Sequence, residues 1–210
     1  MSAPTSASLD DLVGRVRSLA GPGERALLGL TGPPGAGKST LGAALVTALG
    51  DDAVLVPMDD FHLADPELDR LGRRQRKGAP DTFDAAGYVH LLRRLRERTD
   101  DVVYAPVFHR EQEQAVAGEL PVPRETPLVL TEGNYLLADG PFAPVRALLT
   151  RCWYVDVDPA TRVERLVARH VRHGRARDAA EQWVLRSDEV NARLVAQGRA
   201  RADLVLRLGG

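Results

Sequence analysis

The sequence predicts an α/β protein in three layers, a mainly parallel sheet with helices on both faces and a small helical lid. Three observations predict it. Short apolar runs alternate with segments of helical periodicity, the pattern of parallel strands buried on both sides. Gly32-Pro33-Pro34-Gly35-Ala36-Gly37-Lys38-Ser39 fits the phosphate-loop pattern G-x-x-x-x-G-K-[ST] between one such strand and one such helix. Two further strands end in acid, at Asp59 and Glu132, and the carboxyl ends of parallel strands share one edge. Residues 1–210 read as a single domain, with the lid at about 162–180.

Taken in order, Ser2 to Ser8 is small and polar and is expected to fray. Leu9, Leu12, Val13, Val16 and Leu19 have helical spacing, and Gly21-Pro22-Gly23 ends that helix. Ala26–Leu30 is the strand before the phosphate loop, and the helix after it runs from Thr40 to Leu49 and closes at Gly50. A second buried strand is expected over 53–59. Residues 60–80 lack apolar periodicity and hold a basic run, Arg70, Arg73, Arg74, Arg76 and Lys77, which on charge alone reads as a solvated face.

A helix follows from 81–84 to about Arg98, capped by Asp84 or Asp81. Asp101 to Phe108 reads as a strand, and the Pro-bounded segment 110–123 as a hairpin or loop. Pro127 to Gly133 is a third central strand, Phe142 to Leu149 a short helix and Arg151 to Val157 a fourth strand. Pro159 opens a helix to about His173 with Val163, Leu166, Val167, His170 and Val171 on one side and Arg162, Arg165, Arg169 and Arg172 on another. A second helix spans about 178–196, and 202–208 is the last strand.

Composition narrows the function. With 28 basic and 29 acidic residues there is no global charge case for nucleic acid or a membrane surface. Cys152 is the single cysteine, which rules out an intrachain disulfide and fits a reducing cytoplasm. Met1 to Asp10 lacks a basic segment followed by an apolar core, so no signal peptide is expected, and no apolar run nears the roughly 20 residues of a membrane span. A homo-oligomer stays open.

The phosphate loop carries the chemistry. Its glycines let backbone N–H groups turn inward at a helix start, which makes a concavity for anions. Residues 32–40, from Gly32 to Thr40, are therefore the expected ATP site. Lys38 can reach the terminal phosphates, and Ser39 offers a hydroxyl to Mg²⁺. Asp59 is the candidate general base for an acceptor hydroxyl, with Asp60 beside it and Asp81 as further candidates. Glu132 is the candidate magnesium carboxylate. Arginines of the late helix, Arg169 and Arg175 above all, are candidates to close on the phosphates, whereas Arg162 and Arg172 read as solvated.

Several stretches carry a family resemblance: Gly32–Thr40, Val56-Pro57-Met58-Asp59-Asp60-Phe61-His62, Lys77-Gly78-Ala79-Pro80-Asp81-Thr82-Phe83-Asp84, Pro106-Val107-Phe108, Glu132-Gly133-Asn134-Tyr135 and Ser187 to Ala192. From about Leu27 to Leu208 the chain resembles the uridine kinase, phosphoribulokinase and bacterial pantothenate kinase group, within the P-loop NTPase fold. It looks closest to a bacterial branch described as nucleoside/nucleotide kinase-like or fructose-transport-system kinase. The resemblance implies an ATP- and Mg²⁺-dependent kinase with a small hydroxylated acceptor, with Asp59 as base and Glu132 at the metal. It puts Phe61, His62, Asp81, Phe83, His109 and Tyr135 around the acceptor. His109 stands where many relatives carry aspartate, a departure that argues against uridine and cytidine. A nucleotide switch would need a guanine-reading Asn/Thr-Lys-x-Asp element, which is absent from the sequence, and intact Lys38, Ser39, Asp59 and Glu132 argue against a non-catalytic nucleotide binder.

Overall fold

β1 (Ala26–Thr31) is the middle strand of a five-stranded sheet, and all six of its residues are buried. The structure, a computed structural model, describes residues 5–109 and 111–208. The other strands of this sheet are β2 (Ala53–Leu55), β5 (Leu128–Gly133), β6 (Arg151–Asp156) and β7 (Leu204–Arg207), in the order β2-β5-β1-β6-β7. Every pairing is parallel. β3 (Val102–His109) and β4 (Gln114–Pro123) form a separate antiparallel hairpin.

The period-two alternation of the central strands sorts the core onto two faces. Leu27, Val129, Cys152 and Tyr154 point to one face and pack with α4 (Ala85–Glu97) and α5 (Val145–Leu148). Leu28, Leu30, Leu130, Trp153 and Val155 point to the other, against α1 (Leu9–Arg17) and α2 (Lys38–Leu49). The helix starts are set locally. Ser8 and Asp11 form a capping box on α1, and the Asp84 side chain caps α4 by accepting from the Gly87 N–H. Tyr88 on α4 donates to Thr131 Oγ1 at 2.6 Å, since the Thr131 hydroxyl itself donates to the Val56 carbonyl. This buried relay fixes the end of β2 against β5.

Several elements differ from expectation. The second strand stops at Leu55 and is half-buried, because β2 lies at the sheet edge and Pro57 has no N–H to continue the ladder. Residues Met58–Phe61 form a 3₁₀ turn instead. Within 60–80 there is a short helix, α3 (Asp65–Arg70), and the basic run is ion-paired rather than simply solvated. Arg74 meets Asp65 and Asp69, Arg76 meets Asp81, and Lys77 meets Asp65 and Glu113. Segment 110–123 supplies the second strand of the hairpin, with residue 110 itself outside the described residues. The helix expected at 142–149 is a 3₁₀ turn, Gly140–Phe142, followed by α5, with Pro144 as its N-cap. Of the stretch expected to fray, residues 2–4 lie outside the described residues, while Thr5 pairs with β7 and Ser8 caps α1.

The late helices form the lid region. α6 (Pro159–Arg172) and α7 (Arg177–Trp183) share a small core of Leu166, Val167, Ala180 and Val184. The expected 178–196 helix is interrupted by a π-helical turn, Val184–Asp188, before α8 (Glu189–Gln197). α8 returns to the main core through Val195. Among the described residues, no helix is long and apolar enough to cross a membrane.

Candidate active site

The site grows from the carboxyl end of β1, where the chain turns through Gly37 in a left-handed conformation into α2. Lys38 is the first residue of that helix and is only 7% exposed. Its ammonium donates to the carbonyls of Gly32 at 2.9 Å and Pro33 at 3.1 Å, and to Asn134 Oδ1 at 2.8 Å. Burial pushes the Lys38 pKa down. The carboxylates of Glu132 and Asp59 push it up, and the Arg169 guanidinium pushes it down again. Glu132, Asp59 and Arg169, from three other parts of the chain, therefore all act on Lys38 at this edge. Ala36 is buried in the loop, while Ser39 and Thr40 are exposed on the first turn of α2.

Ser39 Oγ donates to Glu132 Oε1 at 2.8 Å. A hydroxyl and a carboxylate side by side suit Mg²⁺, which takes one or two protein oxygens and leaves the rest to phosphate and water. Gly133 then allows the next close approach. A Cβ there would lie 2.6 Å from Met58 Cβ, so only glycine lets the 58–61 turn seat against the end of β5. That seating holds the Asp59 turn at the carboxyl end of β5, where both Asp59 and Glu132 act on Lys38. The turn also separates the two adjacent aspartates. Asp59 is half-buried and in the field of Lys38, whereas Asp60 is 6% exposed and accepts the Phe108 N–H at 2.9 Å, tying the hairpin to the sheet edge.

His62 stands next to Asp59. Its Nδ1 lies 2.8 Å from the Asp59 carbonyl oxygen, which can only accept, so Nδ1 carries the proton. Burial holds the His62 pKa below its usual value, which keeps the ring neutral near pH 7 and leaves Nε2 as an acceptor. The ring stacks on Phe83 at 3.9 Å between centroids and lies 5.5 Å from Phe108.

Other expected acceptor contacts are placed differently. Tyr135 is fully buried, edge-on to Phe83 and beside Phe142, and its hydroxyl donates to the Gly78 carbonyl at 2.6 Å. It supports the 77–84 segment from behind, because a buried phenol must spend its O–H on a fixed acceptor. Phe83 is buried too, and Phe61 packs edge-on to Tyr88. The Asp81 carboxylate is held by both terminal nitrogens of Arg76, and His109 Nε2 bonds Glu119 across the hairpin at 2.6 Å.

On the lid, Arg169 is exposed yet close enough to act on Lys38. Arg175 instead stacks its guanidinium on Trp183 at 4.0 Å. Arg162, which read as solvated, is buried and ion-paired with Glu189 of α8. Helix periodicity put it on the charged side, but the strand-side turn of α6 is covered by α8 and the phosphate loop. Two residues of the site escaped the sequence reading as functional: Asn134, which bonds Lys38, and Asn191 of α8, whose Nδ2 donates to the Gly78 carbonyl at 3.3 Å. Asn134 directly follows the Glu132-Gly133 strand end, a signal that could have found it.

A parallel three-layer fold with a lysine-bearing phosphate loop and a Ser–Glu pair at its carboxyl edge defines a P-loop nucleotide-binding protein. The family model described as "AAA domain" matches residues 27–194. The chain belongs to this family, as an ATP-dependent small-molecule kinase of the P-loop type. It is 32% identical to the "Putative uridine kinase C227.14" of Schizosaccharomyces pombe, over 99% of this chain and 93% of that one. It is 37% identical to the "putative fructose transport system kinase" of Silicibacter sp. TM1040, whose crystal structure superposes with a TM-score of 0.85 over 95% of this chain and 99% of that one. YFH7 from Saccharomyces cerevisiae, 17% identical, shares the fold with a TM-score of 0.80 over 97% of this chain and 100% of that one.

Two expected results follow from the placement of Ser39, Glu132 and the lid arginines. Ser39→Ala or Glu132→Gln should raise the Mg²⁺ concentration needed for half-maximal rate by about 10- to 100-fold, with excess Mg²⁺ restoring most of the rate. A Mg²⁺ titration identical to wild type in both variants would remove this pair from the metal site. Arg169→Ala should lower kcat by about 10²-fold with little change in ATP affinity, the outcome expected of a lid cation that closes on the moving phosphoryl group and acts mainly in the transition state. Arg175→Ala should cost less, since its guanidinium is held by Trp183. Steady-state kinetics of the two variants side by side would decide, and a larger loss at Arg175 would reverse the assignment.

Proposed function

We propose that this chain transfers the γ-phosphoryl group of ATP to a hydroxyl of a small metabolite, with Asp59 as the general base. The observation that carries the proposal is the geometry of the sheet edge, where Lys38 is buried in the phosphate loop, Ser39 donates to Glu132 and the turn that bears Asp59 seats against Gly133, within electrostatic reach of Lys38. A base beside the phosphate cation is what in-line transfer to an alcohol requires. The acceptor oxygen bonds to phosphorus as its proton passes to the Asp59 carboxylate, and the bond from phosphorus to the β-γ bridging oxygen breaks to release ADP. Lys38 binds the phosphates, and Arg169 opposes the charge that builds on the transferring group. Ser39 and Glu132 would hold Mg²⁺, which when bound neutralises triphosphate charge. His62, whose Nδ1 bonds the Asp59 carbonyl, would use its Nε2 to accept a hydrogen bond from an acceptor hydroxyl.

The acceptor is a nucleoside, a sugar or a pantothenate-like alcohol, classes in keeping with the names of the relatives. An ADP-release screen over nucleosides, sugars, sugar phosphates and pantothenate, with an acceptor-free control, tests this. ADP release should depend on an added alcohol. Uridine and cytidine should be poor, because His109, here bonded to Glu119, stands where many members of the resembled family carry aspartate. A uridine kcat/KM of about 10⁴ M⁻¹s⁻¹ or more would overturn that preference. ADP release that is equally fast without any acceptor would turn the reading to an ATPase or nucleotide switch.

A further inference from the structure

Arg162 lies in the first turn of α6 and is 5% exposed. Its Nη2 donates to Glu189 Oε1. Its Nη1 is also buried, and among the described residues no group accepts from it. No other buried side-chain nitrogen or oxygen among those residues lacks a partner. Buried donors are nearly always satisfied, and a guanidinium cannot shed its charge to escape the cost. A buried arginine–carboxylate pair is frequently bidentate, which satisfies both terminal nitrogens of the guanidinium. Here one fork is anchored and the other is left over.

The place of that leftover donor is informative. α6 packs directly on the phosphate loop at Gly35, which has a left-handed φ of 80°. A Cβ on Gly35 would lie 2.8 Å from Leu166 Cγ, 3.1 Å from the Arg162 carbonyl oxygen and 3.2 Å from Arg162 Cγ. The arginine stem therefore rests against the backbone that curls around an anion. A permanently charged side chain whose stem lies against an anion cradle, and whose second fork is buried without a partner, is matched by an anion in the cradle.

We propose that Arg162 is a nucleotide-binding residue, with Nη2 anchored on Glu189 and Nη1 donating to a phosphate oxygen of the bound nucleotide. This rests on the reading of the phosphate loop as the ATP site. It adds a contact from the base of α6, separate from the exposed Arg169 further along that helix. It also ties nucleotide binding to α8. Glu189 sits two residues from Asn191, and Asn191 bonds the Gly78 carbonyl on the acceptor side.

The test is calorimetric titration of the full chain with ATP, ADP and adenosine, for wild type, Lys38→Ala, Arg162→Lys and the double variant Arg162→Met/Glu189→Gln. The double variant removes both charges, so no unpaired buried carboxylate remains to unfold the protein. The apo melting temperature of each variant is recorded alongside. The double variant should bind ATP and ADP about 10- to 100-fold more weakly, with adenosine affinity and apo melting close to wild type. Arg162→Lys should fall between the two, because an ammonium cannot span Glu189 and a phosphate as a planar fork does. Unchanged ATP and ADP affinity in the double variant, with Lys38→Ala weakened, overturns the proposal and leaves the ATP site standing. An equal loss for adenosine overturns it too, because the contact would then not be to phosphate. Should the double variant fail to fold, Arg162→Lys decides by the same criterion. A wild-type protein that binds neither ATP nor ADP overturns both readings.

Discussion

Lys38→Ala should reduce turnover by at least about 10³-fold and weaken ATP binding. One pre-placed donor to a developing charge is commonly worth about 10²–10³ in rate, and Lys38 carries a full charge in a nearly dry setting. Its burial is what makes the contact strong, because little water competes with the phosphate for the ammonium. Burial also lowers its pKa, and the carboxylates of Glu132 and Asp59 work against that shift to favour the charged form. The Ala variant leaves Asn134 Oδ1 and the carbonyls of Gly32 and Pro33 without their donor, so part of the loss will be in the shape of the loop. Lys38→Met separates the effects, since it keeps the stem and removes the charge. ADP release measured with a titration of ATP gives both numbers. A wild-type rate in Lys38→Met would mean that this loop is not the active site.

Asp59→Asn should retain the fold and ATP binding while kcat falls by about 10²–10⁴-fold, the usual value of general-base help. Asn has nearly the same shape and cannot take the hydroxyl proton. The neighbouring substitution is the control. Asp60 is buried and accepts the Phe108 N–H, so Asp60→Asn should act on hairpin anchorage and thermal stability more than on the chemical step. Mg²⁺ titration separates a lost base from a lost metal ligand, because excess metal restores only the latter. Full activity of Asp59→Asn with the true acceptor, or complete recovery in high Mg²⁺, would take the role of base away from Asp59.

What the sequence determined by itself is what depends on neighbours along the chain. The strand–loop–helix around Lys38, the alternation that buries both faces of β1, β5 and β6, and the Asp84 cap of α4 are all set within a few residues of themselves. The sequence also put Glu132 at the end of β5 and Asp59 just beyond the end of β2, and parallel strands bring such ends to one edge, although Asp59 itself lies in the turn that follows β2. The tertiary structure alone decided which charged side chain does what there. Asp59 and Asp60 are adjacent and chemically alike, and only the hairpin amide of Phe108, 48 residues away, takes Asp60 out of the solvent-side role. Asn134 meets Lys38 across 96 residues, and Tyr135 spends its hydroxyl on Gly78 across 57. Arg162 belongs by periodicity to the charged face of its helix, and it is buried because α8 and Gly35 cover that turn. Helical and strand periods report which way a side chain leaves its own backbone. Whether water, a carboxylate or another backbone waits on that side depends on elements that meet only when the chain has folded.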